Sequence, residues 1–183
     1  MRVLIIFLLF LVNAVVQSQT VTVTVGSDGA CDYSTITAAS FNAPTADELL
    51  IRVAKNHTMS SIQILDDRST SIYGGYDNCS DISVDGRTVI DGSGFTGPIF
   101  VLSEAIGVGS TGRTNLYLWN LEISGGNSNT DGGGITLTGS WYVSLWNVYM
   151  HDNISNQDGG AIYAKASTNA SAIGPNINIR GNS

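Results

Sequence analysis

The residues of this chain that could do chemistry are few, and two of the acids stand before glycine. Asp131 and Asp158 each precede a glycine, in Asn129-Thr130-Asp131-Gly132 and Asn156-Gln157-Asp158-Gly159. His151 and Asp152 are adjacent, and His57 lies far upstream. Hydrolysis of a glycosidic bond needs two carboxyl groups flanking that bond, one with a raised pKa. Elimination by a lyase needs several acidic oxygens around Ca²⁺ and a basic group to take a proton. The acids on offer are Asp131, Asp152 and Asp158, with Asp66-Asp67 upstream; the bases are Arg113, Lys165 and Arg180. No second aspartate pair follows Asp131, and no Asp-x-Asp-x-Asp cluster occurs. Asp-Gly is also ordinary turn chemistry. The sequence is therefore read as holding no catalytic residue, no cofactor and no dedicated metal site, with at most weak Ca²⁺ binding at the stacked Asp turns. Two histidines are too few and too separated for a histidine-based metal centre. His57 is expected in a polar loop and His151 at an exposed strand end.

The second kind of chemistry is recognition. Tyr117, Trp119, Trp146 and Tyr149 fall where alternating strands would turn them outward, and they form the candidate ligand-binding set. Outward rings on a flat β surface suit a glycan or a surface protein, and they also suit simple packing over a strand edge. The net charge of −7 and the absence of any Lys/Arg stripe exclude a nucleic-acid binder. Cys31 and Cys79 lie in polar, turn-rich surroundings and are expected to form a disulfide, the competing reading being two buried thiols.

Positioning these residues is the task of a repeat. Leu116 to Ile135 aligns without gaps on Val143 to Ile162, so that Trp119, Asn120, Asp131 and Ile135 recur as Trp146, Asn147, Asp158 and Ile162, 27 residues on. A third copy begins at Asn176. Inside each copy Leu116 and Leu118 alternate with Tyr117 and Trp119, the period-2 pattern of a half-buried strand. An asparagine interrupts, a second short strand follows, and then a Gly/Asn/Ser/Asp turn. A fixed interval with equivalent positions points to stacked coils rather than hairpins. Like side chains would then lie on like, Leu118 on Leu145 and Ile135 on Ile162, with Asn120 and Asn147 forming an amide ladder in a turn. Upstream, Ser61–Leu65, Thr70–Tyr73, Thr88–Ile90 and Pro98–Leu102 read as strands, and Gly74-Gly75 and Asp91-Gly92 as turns. Thr35 to Leu50 is the one stretch with room for a short helix, at a capped end of the stack.

The fold expected is all-β, a right-handed parallel β-helix with coils of about 22–27 residues and a short N-terminal capping helix. The sequence resembles the pectin-lyase-like superfamily, and more narrowly proteins with polymorphic outer membrane protein repeats. Gly159-Gly160-Ala161-Ile162 matches the GGA-I element of those repeats. Met150-His151-Asp152-Asn153 and Ile179-Arg180-Gly181-Asn182 match the element ending in Asn, whereas Ile123-Ser124-Gly125-Gly126 departs from it. Asn129-Thr130-Asp131-Gly132 is similar to the first catalytic motif of polygalacturonases, but the Gly-His-Gly and Arg-Ile-Lys motifs that accompany it there are absent.

Compartment and domain limits come from the first residues. Arg2, the apolar run Val3–Val12 and the polar Gln17–Thr20 have the layout of a secretory signal peptide. The run is shorter than the roughly 20 residues that span a bilayer. Cleavage is expected after Ser18, with Ala14 the competing site. The expected organisation is a signal peptide at 1–18 and one β-helix domain at 19–183, which breaks off inside its third repeat and so lacks a C-terminal part. Four Asn-x-Ser/Thr triplets, at Asn56, Asn78, Asn153 and Asn169, are glycan acceptors in a eukaryotic secretory pathway. Function is expected to be that of a secreted or cell-surface adhesin or binding scaffold, with no transmembrane segment in the mature chain. The alternative is a polysaccharide-degrading enzyme of pectate-lyase or polygalacturonase type.

Overall fold

The computed structural model describes residues 18–57, 63–65, 68–103, 114–166 and 176–180. Residues 1–17 of the expected signal peptide, Asp66-Asp67, Arg113 and Asn169 lie outside them. The elements begin with β1 (Thr20–Val25), α1 (Ile36–Asn42), β2 (Glu48–Ala54), β3 (Gln63–Leu65), β4 (Ser69–Tyr76), β5 (Thr88–Asp91) and β6 (Phe100–Ser103). They continue with β7 (Thr114–Trp119), β8 (Leu121–Ser124), β9 (Asn127–Ser128), β10 (Ile135–Thr138) and β11 (Trp141–Trp146). The last are β12 (Tyr149–His151), β13 (Ile154–Ser155), β14 (Ile162–Lys165) and β15 (Asn176–Arg180).

The molecule is mostly strand, and its sheets are parallel. A six-stranded sheet runs β1-β2-β4-β7-β11-β15, a four-stranded sheet β3-β6-β10-β14, a three-stranded sheet β5-β8-β12, and β9 pairs with β13. From β7 onward the chain visits the six-, three-, two- and four-stranded sheets in turn, repeats the circuit, and returns to the six-stranded sheet at β15. The second circuit lies in register on the first at the interval read from the sequence: Leu118 beside Leu145, Ile123 beside Met150, Asn127 beside Ile154, Ile135 beside Ile162.

Elsewhere the interval varies. Thr20 pairs with Glu48 and Glu48 with Ser69, but Thr70 pairs with Leu116, 46 residues on, and Tyr142 with Asn176, 34 on. The expected 22–27 residues therefore hold for some steps only. The long steps carry excursions such as the loop 77–87. Ile179 falls beside Leu145 in the six-stranded sheet. It is thus not the counterpart of Met150, which lies beside Ile123. The likeness of Ile179–Asn182 to Met150–Asn153 does not reflect equivalent places.

The core is built from the inward positions. Val23, Ile51, Ile72, Leu118 and Leu145 are register neighbours across five strands of the six-stranded sheet, and each is at most 5% exposed. Burying each such side chain contributes about 1.5–3 kcal/mol. Ile179 continues the row on β15 but is 58% exposed, since among the described residues no further strand lies beyond it in the sheet.

The short helix falls inside the stretch read for it. Thr35 caps it, its hydroxyl accepting from the Ala38 amide at 3.0 Å. It ends at Asn42 because Ala43 precedes Pro44, and a residue before proline is driven to extended geometry. Ile36 and Ala39 enter the core beside β1, β2 and β3, while Leu49 and Leu50 belong to β2. Gly74 and Gly75 lie inside β4 rather than in a turn. Gly74 passes so close to the Asn120 carbonyl that a Cβ there would overlap it.

Candidate functional site

Alternation along β4, β7 and β11 turns Tyr73, Trp119 and Trp146 away from the core, and register sets them side by side. Their rings stack. Tyr73 and Trp119 have centroids 5.3 Å apart with planes 25° apart; Trp119 and Trp146 are at 5.5 Å and 16°. Parallel strands about 4.8 Å apart hold equivalent side chains near the contact distance of two rings, so in-register aromatics form a ladder. Trp146 is 43% exposed, while Trp119 and Tyr73 are half-buried. The Trp119 Nε1 is shielded and has no acceptor among the described residues. Burial first, and Glu48 second, holds the Tyr73 hydroxyl above the ordinary tyrosine pKa.

Arginines stand at both ends of this ladder. Arg52 on β2 is the register partner of Tyr73, and Arg180 on β15 that of Trp146. The Arg52 guanidinium lies 4.3 Å from the centre of the Tyr76 ring, a cation–π contact. The next outward row holds Tyr117, whose ring meets Tyr142 at 6.0 Å and 59°. Tyr142 accepts from the Asn178 side-chain amide at 3.3 Å.

Tyr149 is placed elsewhere. It opens β12 in the three-stranded sheet, past a corner made by Asn147, and stacks on His151 at 4.6 Å with Arg87 5.9 Å from its ring centre. The structure thus divides the four sequence-derived aromatics, with Tyr117, Trp119 and Trp146 on one sheet and Tyr149 on another. It adds Tyr73, Tyr142 and Arg52, which the sequence reading missed, and Arg180, which that reading weighed only as a base. For Tyr73 the signal was the Ser-Ile-Tyr alternation, hidden by the 46-residue step that separates it from Tyr117 and Trp119.

The corner follows from residue type. Asn120 and Asn147 have φ of 54° and 52°, the left-handed region that asparagine tolerates best after glycine. The Asn147 amide donates to Asn120 Oδ1 at 2.7 Å, forming the expected ladder. Arg87 closes it, giving Nε to the Asn147 carbonyl at 3.0 Å and Nη2 to its Oδ1 at 2.6 Å. Asn153 accepts from the Gly126 amide at 3.0 Å and donates to the Ile123 carbonyl at 2.8 Å.

The titratable groups fall into separate places. His151 Nδ1 meets Asp152 at 2.8 Å and Nε2 meets Glu122 at 3.1 Å; these two contacts, Asp152 foremost, raise its pKa. Asp131 and Asp158 lie side by side, 27 residues apart, with the Asp158 amide donating to Asp131 Oδ1 at 3.1 Å. That bond is turn architecture. Tyr163 faces both, and its pKa is raised by desolvation first and Asp131 next. Lys165 is exposed at the end of β14. His57 lies after β2 beside Lys55 and Asn56, the polar loop expected, but it is buried there, and burial lowers its pKa. Cys31 and Cys79 form a disulfide with Cα atoms 5.2 Å apart. They and Asp28 are near enough for a metal, but a disulfide's sulfurs are not thiolate ligands. Among the described residues no helix is long and apolar enough to cross a membrane.

No protein-family model, curated protein or solved structure matches the chain.

Proposed function

We propose that the chain is a right-handed parallel β-helix, exported from the cell, that works as an adhesin or binding scaffold through the outer face of its six-stranded sheet. The repeated circuit of parallel strands supports the fold, since parallel crossovers are right-handed in nearly all proteins. On this reading the likeness to pectin-lyase-like proteins and to polymorphic outer membrane protein repeats is one of architecture, and fold does not carry function. The disulfide supports an oxidising compartment.

The observation that carries the function is the Tyr73–Trp119–Trp146 ladder. Its rings do not fill the core, yet they line up across three strands of an outward face. Amide and hydroxyl groups from Tyr117, Tyr142 and Asn178 lie on the outward rows next to it. Aromatic surface with nearby hydrogen-bonding groups suits a glycan or a surface protein. The Asp131 carboxylate and the His151 ring are each engaged in local contacts, which favours binding over cleavage.

The test is tryptophan fluorescence and immobilised-ligand binding across a glycan panel, with release of reducing ends or unsaturated products followed in parallel. Trp119→Ala/Trp146→Ala should abolish binding and leave the far-ultraviolet circular dichroism intact. Product release that disappears in Asp131→Asn would replace the scaffold with the enzyme.

A further inference from the structure

We infer that Asp85-Gly86 is a self-modification site, where the folded chain converts aspartate to isoaspartate and so withdraws Arg87 from the corner it closes at Asn147. The site lies in the loop 77–87 and is independent of the aromatic face.

The chemistry belongs to the Asp-Gly pair. The glycine nitrogen attacks the aspartate Cγ. An N–Cγ bond forms, the Cγ–OH bond breaks, and water leaves carrying the amide proton. A second water then opens the five-membered imide at the former main-chain carbonyl. The old peptide bond breaks, the chain runs through Cγ, and the α-carboxyl is set free. One water leaves and one enters, so no other reactant is needed. Glycine suits the attack because no Cβ stands in the way. The ring closes only where the peptide can turn and the carboxyl can swing onto it.

The fold decides which pair is free to do this. Four occur, at 85–86, 91–92, 131–132 and 158–159. Three are held. The Gly92 amide donates to the Ser124 carbonyl at 2.8 Å, and the Asp91 oxygens accept from the Ser93 amide and hydroxyl. The Gly132 amide donates to the Asp158 carbonyl at 2.9 Å, and Asp131 Oδ1 accepts from the Asp158 amide. The 158–159 peptide is fixed through its carbonyl, which accepts from Gly132 and from the Ser155 hydroxyl. At 85–86, among the described residues, neither the Asp85 carbonyl nor the Gly86 amide has a hydrogen-bond partner. The Asp85 side chain is 92% exposed; Lys55 lies 3.8 Å away but is held closer by Asp77, at 2.8 Å. A Cβ on Gly86 would meet nothing.

The pair sits between two fixed points. The Asp85 amide donates to the Gly75 carbonyl at 2.8 Å. The buried Thr88 hydroxyl accepts from the Gly75 amide and donates to the Val53 carbonyl. Conversion adds a methylene to the main chain between these points. Arg87 must absorb it. Its bonds to the Asn147 carbonyl and Oδ1, at 3.0 and 2.6 Å, tolerate little displacement.

The experiment incubates the intact, disulfide-bonded chain at physiological temperature and mildly acidic pH, beside the same chain reduced and unfolded in urea. Isoaspartate is read with a protein isoaspartate methyltransferase and labelled S-adenosylmethionine, and located by peptide mapping. In the folded chain Asp85 should convert at least about fivefold faster than the other three, since each of those must give up a main-chain hydrogen bond. In the unfolded chain the four should convert at similar rates. Asp85→Glu should remove the signal from that peptide and keep the circular dichroism. The converted fraction, separated chromatographically, should melt lower than fresh protein, and conversion in an Arg87→Gln background should cause no further fall. Equal rates at the four pairs of the folded chain, a faster rate at Asp91, Asp131 or Asp158, or no conversion of the folded chain while the unfolded chain converts overturns the site. An unchanged melting temperature in the converted fraction, or equal falls in the two backgrounds, overturns the link to Arg87.

Discussion

The two histidines show how neighbours rather than sequence type decide a residue's chemistry. His151 lies between Asp152 and Glu122, and both contacts favour its charged form. Its folded pKa is raised, so the stability it contributes is fully present below the unfolded value of 6.5 and is lost as pH rises through the folded pKa. His57 is neutral by burial; its folded pKa is depressed, so its protonation removes stability as pH falls below 6.5. Proton NMR titration of the two imidazoles should therefore find one midpoint on each side of 6.5, and Asp152→Asn should move only the higher one downward. The corner asparagines give a second residue-scale prediction. Asn147→Ala loses the ladder bond and the Arg87 contact and forces alanine to φ near 52°. It should cost about 2–4 kcal/mol in urea unfolding, and Asn147→Gly should recover the backbone part.

At the scale of elements, stability follows position within a stacked row. Leu118 has strands on both sides and is fully buried; Leu118→Ala should cost about 2–5 kcal/mol. Ile179 ends the same row and is exposed, so Ile179→Ala should cost less than about 1 kcal/mol. Denaturant unfolding of the pair checks the gradient. Glycines divide in the same way. A Cβ on Gly133 would meet the carbonyls of Gly160 and Ile154, the latter at 2.6 Å, and neither backbone can move aside. Gly94 faces open space. Gly133→Ala should lower the melting temperature, whereas Gly94→Ala should not. The strands of the 27-residue circuit were legible in the sequence because each alternates cleanly. The short helix was legible only as lying somewhere in Thr35 to Leu50, because periodicity alone does not show that Pro44 ends it.

For the whole molecule, the disulfide joins the turn after β1 to the loop after β4, tying together residues 48 apart near the helix-bearing end. In the chain-entropy model such a closure stabilises by about 4 kcal/mol. Reduction, or Cys31→Ser/Cys79→Ser, should lower the unfolding midpoint by a corresponding amount, and the oxidised protein should show no free thiol in a titration. Parallel strands leave pairing groups at the last strand of each sheet, and β15, β14 and β12 are such edges. The exposed Ile154 and Ile179 lie on edge strands of this kind.

The sequence by itself determined the strand-rich character, the in-register pairing of the two 27-residue segments, the asparagine ladder and the outward turn of Trp119 and Trp146. Each of these depends on local alternation or on like residues recurring at one interval, and both are visible in one dimension. Tertiary structure alone decided that Tyr73 joins the ladder, that Tyr149 leaves it, that Ile179 sits beside Leu145, and that Arg52 and Arg180 bracket the rings. Those placements depend on how much chain each circuit spends on excursions, 46 residues at one step and 21 at another. An excursion looping away from a sheet costs little closure entropy, so its length can vary freely. The register it returns to is set by buried side chains on the neighbouring strand, and that choice is made in three dimensions.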